Sequence, residues 1–338
     1  MRTAGGLGWK RGFFLFLLIP VLVLWAGGDG SQAKEYKFIK IVTTSPGVPW
    51  YIVGAHLAET IEREIPGVKA TAAGGGSGTN PVAVSDGKAE LGWTVDAIGE
   101  DAYHGRGDYK KPLKNLRLVG GFAVTPMQIC VRADSDIKHI TDFKNKKIAV
   151  GKSGWGTTKL NLGLLDAFGM TPSSIKTAGG IVHFVGYEDW ATMLQDKQID
   201  GFLYWGGLPS PLTLNVIENP GIRMLSFTDE EVNKILGQPI FKQAYAFPMK
   251  VKKEFYPRVL TGDINSLAYV SIALTHEDLP QALVYKITKL LFETKKIKEV
   301  YQDGMSLSLK LNEFVLQKTT IPLHPGAEQY FREKGILK

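Results

Sequence analysis

Two glycine-bearing loops hold the residues best suited to chemistry in this chain. The first is Gly74-Gly75-Gly76-Ser77-Gly78-Thr79-Asn80-Pro81, and the second is Gly151-Lys152-Ser153-Gly154-Trp155-Gly156-Thr157-Thr158. Each follows a strand-like run and opens a helix-like one. Glycine lets the backbone approach a ligand, and the free N–H groups at a helix start attract an anion. The hydroxyls of Ser77, Ser153, Thr157 and Thr158 add donors. Neither loop is a nucleotide fingerprint. Pro81 stands where G-x-G-x-x-G needs its third glycine, and Lys146 stands where a P-loop needs its first. The plain alternative for both loops is a tight turn with a helix cap.

Aromatic pairs and single rings fall at or just past strand ends: Trp50-Tyr51, Trp93, Trp155 and Tyr204-Trp205. Most such rings belong to cores. Trp155, however, sits between two glycines in a loop where no core periodicity requires it. Several aromatics at one cleft suit a flat or apolar ligand. Lys152 is the best-placed cation for a carboxylate. Enzyme signatures are missing. The six histidines are scattered without an H-E-x-x-H pair, no serine has a G-x-S-x-G setting, and Asp96 and Asp200 at strand ends have no partner. No metal or cofactor is expected.

The elements that must position these residues alternate short β-branched runs with helices, which points to an α/β fold with largely parallel sheets. Expected strands are 38–44, 68–72, 90–95, 116–120, 127–131, 147–150, 183–185, 201–205, 223–227 and 267–273, with the pair 116–120 and 127–131 flanking a crossing. Expected helices include 50–64, with Ile52, Ala55, Leu57, Ala58 and Ile61 on its apolar face, 157–168 and 278–293. Two successive strand–glycine loop–helix groups suggest two similar lobes: residues 34–124 with 246–338, and residues 125–245. Ligands of open α/β sheets sit beyond the carboxyl ends of the strands. Two such lobes would line one cleft, and the two crossings between them would form a hinge.

Arg2, Lys10 and Arg11 precede an uncharged apolar run from Gly12 to Ala26, and Ser31-Gln32-Ala33 follows. This is the pattern of a secretory signal peptide, so cleavage near Ala33 and a periplasmic mature chain from Lys34 are expected. Removing residues 1–33 takes away those three cations and Asp29, which lowers the formal charge from +7 to +5. The remaining basic residues are mixed with acidic ones, without a basic stripe, so nucleic acid is not an expected partner. The lone cysteine, Cys130, lies in an apolar run and reads as a buried, inert thiol.

The chain resembles the TAXI-type solute receptors of tripartite ATP-independent periplasmic (TRAP) transporters from about Ile41 to the C-terminus. The resemblance is carried by Gly75-Gly76-Ser77 with Asn80, Val131-Arg132-Ala133-Asp134-Ser135, Gly151-x-Ser153-Gly154-x-Gly156-Thr157, Ile199-Asp200-Gly201-Phe202 and, most distinctively, Ile321-Pro322-Leu323-His324-Pro325-Gly326-Ala327-Glu328. It implies a two-lobed periplasmic-binding-protein fold of type II that closes like a Venus flytrap. It also implies a non-catalytic, monomeric receptor that captures a small organic solute and delivers it to a membrane permease. The implied solute is a carboxylate such as an amino acid or dicarboxylate, with an aromatic one open. The candidate contacts are Ser45, Trp50, Tyr51, Gly76, Ser77, Asn80, Trp93, Thr94, Lys152, Ser153, Trp155, Gly156, Thr157, Thr158, Tyr204 and Trp205. A receptor for an ATP-driven (ABC) importer or a sensor kinase would have the same fold. A periplasmic enzyme is the reading from another class, and it would need an acid–base pair in the cleft.

Overall fold

The alternation of apolar runs and helical stretches becomes a mixed sheet flanked by helices in a computed structural model, which describes residues 36–243 and 246–337. The export segment expected over 1–33 lies outside the described residues. In chain order the elements begin with β1 (Phe38–Val42), α1 (Pro49–Glu64), β2 (Lys69–Ala73), α2 (Asn80–Ser85), β3 (Leu91–Val95), α3 (Asp96–His104) and β4 (Leu116–Arg132). They continue with β5 (Lys147–Ala149), α4 (Gly156–Ala167), α5 (Pro172–Thr177), β6 (Ile181–His183), α6 (Tyr187–Gln195), β7 (Gly201–Trp205), α7 (Pro211–Glu218) and β8 (Ile222–Met224). The last are α8 (Asp229–Leu236), α9 (Pro239–Gln243), β9 (Phe247–Val251), β10 (Ile264–His276), α10 (Gln281–Glu293), α11 (Lys295–Lys298), α12 (Leu309–Leu316) and α13 (Pro325–Glu333).

The main strand order is β2-β1-β3-β10-β4-β7-β5-β6, with β8 added to β4 and β9 to β10. The two ends repeat one plan. β1 pairs in parallel with β2 and β3, and β5 pairs in parallel with β6 and β7. In each trio the first strand in sequence is central. Between the trios run the antiparallel strands β10 and β4. Parallel strands buried on both faces need continuous apolar runs, and β3 and β7 are buried at all five positions.

The expected pair of strands at 116–120 and 127–131 is instead one strand of 17 residues. Its first two-thirds pairs with β10, and Met127 to Val131 pair with β7. Almost all of it is buried, so each peptide group needs a ladder partner and a break would strand several of them. In α1 the buried stripe is Trp50, Val53, Leu57, Ala58 and Ile61. Ile52 and Ala55 are only half-buried, one helical step round from the expected face.

Each parallel trio is tied at its carboxyl end by a buried asparagine. The Asn80 amide donates to the carbonyls of Val42 (3.2 Å), Thr43 (2.6 Å) and Trp93 (2.8 Å), and its Oδ1 accepts from Gly76 N–H (3.1 Å). Asn161 donates to the carbonyls of Val150 (2.9 Å) and Leu203 (2.8 Å), and its Oδ1 accepts from Trp205 Nε1 (2.8 Å). Both side chains are at most 1% exposed. Each therefore locks a helix to the ends of two neighbouring strands, β1 with β3 and β5 with β7. Stranding buried carbonyls costs about 1–3 kcal/mol each. Asn80→Ala and Asn161→Ala should each lower stability by about 2–4 kcal/mol in urea denaturation. A loss below about 0.5 kcal/mol, the range of an ordinary surface change, would show that the clamps do not hold the strand ends.

Candidate functional site

The carboxyl ends of the two trios face one cavity with about 410 Å³ of empty space, its mouth included. Thr44 comes from the turn after β1, Val48, Pro49 and Trp50 from the start of α1, and Gly76 and Ser77 from the loop after β2. The second trio supplies Trp155 and Thr157 after β5, Tyr187 after β6, and Tyr204, Trp205, Gly206 and Gly207 at the end of β7. Tyr269 of β10 completes the wall.

Aromatic rings dominate this lining and brace one another, around Tyr187 edge to face. Trp155 meets Tyr187 at 4.8 Å between centroids, and Tyr187 meets Tyr204 at 5.0 Å. Trp205 and Tyr269 lie 5.1 Å apart. Their polar atoms are held in place: Trp50 Nε1 donates to Ser271 Oγ (3.0 Å), and Tyr187 donates to Thr157 Oγ1 (3.2 Å). Burial raises the Tyr187 hydroxyl to about 12 and that of Tyr204 further, so both stay protonated near neutral pH.

The two glycine loops meet across this cavity. Gly156 N–H donates to Ser77 Oγ at 3.0 Å. A Cβ at Gly76 would sit 3.0 Å from Trp155 Cδ1, so the indole lies directly on that glycine.

Among the described residues lining the cavity, none carries a charge. Its electrostatics come from backbone. The first turns of α1, α4 and α6 supply Trp50, Thr157 and Tyr187 to the wall, and none of these helices has a side-chain cap. Away from the cavity the pattern is mixed: α8 and α12 are capped by Thr228 and Ser308, while α3 and α10 also begin without a side-chain cap. Uncapped helix starts turn partial positive charge toward a partner, each worth about 0.3–1 kcal/mol to an anion and up to about 2 when partly buried. The arrangement suits a body that stacks on rings and an electron-rich end that accepts hydrogen bonds.

The model of the NMT1-like family matches residues 41–335. The chain belongs to the NMT1-like family. Among solved structures, the periplasmic binding protein BugD is similar with a TM-score of 0.51 at 14% identity, over 88% of this chain and 98% of that one. The alkanesulfonate-binding protein SsuA from Xanthomonas axonopodis pv. citri, bound to MOPS, matches with a TM-score of 0.46 at 15% identity, over 89% and 85% of the two chains. SsuA from Escherichia coli matches at 0.43 and 14%, over 88% and 79%. This member of the NMT1-like family therefore has the mixed α/β fold of periplasmic binding proteins.

Of the residues singled out in the sequence, Trp50, Gly76, Ser77, Trp155, Thr157, Tyr204 and Trp205 lie on the cavity wall. The others have different places. Lys152 is exposed and donates to Glu188, which also accepts from Ser45 Oγ (3.1 Å). Burial disfavours the Glu188 charge, but the hydrogen bonds from Lys152 and Ser45 outweigh it and hold the carboxyl below its usual range. The lysine is thus paired with Glu188 and stands off the lining. Trp93 is fully buried against Phe122, and its Nε1 donates to the Trp50 carbonyl (3.0 Å). Thr94 donates to the Ser77 carbonyl (2.7 Å), and Thr158 to the Lys152 carbonyl (2.8 Å), so both shape loops from behind. Asn80 is a clamp, Gly156 faces Ile98 as well as Ser77, Ser153 is exposed, and Tyr51 is half-buried off the lining.

The sequence reading passed over Thr44, Val48, Pro49, Tyr187, Gly206, Gly207 and Tyr269. Gly206-Gly207 right after Tyr204-Trp205 is a third strand–glycine junction and was available as a signal. Tyr269 lies mid-strand, where nothing in the local pattern sets it apart. The contrast between the two tryptophans is testable by chemical denaturation. Trp93→Ala should cost about 3–5 kcal/mol, as for a core ring, and Trp155→Ala, half-buried in a loop, less than about 2. Equal losses would make Trp155 a core residue and misplace the wall.

Proposed function

We propose that this chain is an exported solute receptor that closes its cavity around a small organic monocarboxylate with a flat or branched apolar body. The observation that carries this reading is a wall of aromatic rings and hydroxyls, free of charged side chains among the described residues, at the carboxyl ends of both parallel trios. A carboxylate end is served by Ser77, Thr157 and the uncapped helix starts. A free amino acid fits less well, because its ammonium group would be buried without an acidic partner, at a cost of several kcal/mol. A dicarboxylate would likewise leave its second charge against rings.

Residues 1–33 act in this reading as a cleaved export signal, and the mature chain works in the periplasm as a monomer. One lobe comprises residues 34–124 and 246–338, and the other residues 125–245. Solute closes them as a ligand-driven population shift. The permease is of the TRAP type, on the strength of the sequence blocks from Gly75 to Glu328. An ABC importer would use the same receptor fold, and ion-gradient-driven as against ATP-driven uptake separates the two. Among the described residues no helix is long and apolar enough to cross a membrane, and no group of three or more His, Cys, Asp or Glu residues could hold a metal ion.

Calorimetric titration tests the solute class. Benzoate or phenylacetate should bind at least about tenfold more tightly than L-glutamate or 2-oxoglutarate, and Trp155→Ala should weaken the aromatic acid by about tenfold or more. Tighter binding of glutamate, or an unchanged affinity in the Trp155 variant, would overturn the assignment.

A further inference from the structure

We propose that the hydroxyl of Tyr301 is a recognition group of the cavity, a hydrogen-bond partner that the bound solute supplies with its missing contact. Tyr301 is 6% exposed, and its hydroxyl has no hydrogen-bond partner. Among the described buried side chains only one other polar atom, His183 Nε2, shares that condition. Buried hydroxyls are nearly always paired, and an unpaired one calls for an absent partner.

The ring packs against residues of the cavity wall. A Cβ at Gly207 would collide with Tyr301 Cε1 and lie 2.6 Å from Cδ1, with Pro49 Cγ 3.5 Å away. Gly207 and Pro49 both belong to the cavity wall. The ring therefore lies directly behind that wall, and glycine at 207 is the residue that lets it come so close. Gln302 N–H donates to the Leu208 carbonyl at 3.1 Å, which holds the Tyr301 segment against the same turn. The neighbouring phenols differ. Tyr204 accepts from Ser210 Oγ (3.2 Å), and Tyr256 donates to Gln128 Oε1 (2.7 Å). Their hydroxyls are used up inside the protein, whereas that of Tyr301 is left for something else. Burial, with Asp303 and Tyr204 nearby, holds this phenol well above its usual range, so it remains a neutral donor.

The inference rests on reading the cavity as the solute site, and the two can fail separately. The test compares wild type with Tyr301→Phe, which removes only the oxygen. Benzoate and phenylacetate are titrated by calorimetry, and the ligand-free Tm is measured. The variant should bind about tenfold more weakly, while its Tm stays level or rises by roughly 2 °C, because an unpaired buried hydroxyl is lost. Affinity within about twofold of wild type would overturn the role of Tyr301 and leave the cavity reading intact. A Tm lowered by more than roughly 2 °C would show that the hydroxyl already has a partner inside the protein, and would also overturn it. Failure of both acids to bind wild type would overturn the cavity reading, and this inference with it.

Discussion

Two side-chain amides, one in each parallel trio, set the geometry on which the cavity depends. Parallel strand ends leave carbonyls pointing past the sheet, where no further ladder bond is available. Asn80 and Asn161 collect these carbonyls and tie each pair of strand ends to the following helix. The remaining oxygen of each amide then fixes a cavity element: Asn80 holds the Gly76 N–H and Asn161 holds the Trp205 indole. Loop, helix start and aromatic wall are thereby placed by one residue type used twice. The same duplication explains why both trios contribute to one cavity from corresponding positions.

The charge distribution follows a consistent logic. Burying an unpaired charge in a cavity is costly, and the charged groups beside the loops are paired outside it. Lys152, Glu188 and Ser45 form such a set, and Lys159 pairs with Asp108 beyond the loops. What faces inward is neutral: phenol and aliphatic hydroxyls that stay protonated, indole rings, and uncapped helix starts. Backbone dipoles of this kind can accept an anion without a counter-ion that must itself be desolvated when the cavity is empty.

Much of this was legible in the residues because it follows from local patterns. Short strand-like runs ending in glycine loops marked the carboxyl ends of β2 and β5, and Trp155 stood out between two glycines. The parts that stayed hidden depend on distant partners. Trp93 and Tyr204 both end apolar strands, yet Trp93 is turned into the core by Phe122 and by the Trp50 carbonyl. Lys152 looked available until Glu188, remote in sequence, came beside it. Tyr187 opens a helix that follows Gly186 without a side-chain cap, so its start had little signature. Asn161 lies within a helix, and only the fold brings Val150, Leu203 and Trp205 around it.

The most direct test of this account is a crystal structure of the protein with phenylacetate. The account predicts the ring packed among Trp50, Trp155, Tyr187 and Tyr204, with the carboxylate within hydrogen-bond reach of Ser77 or Thr157 and the Lys152–Glu188 pair intact. An acid bound to Lys152, with Glu188 displaced and the aromatic cavity empty, would contradict it.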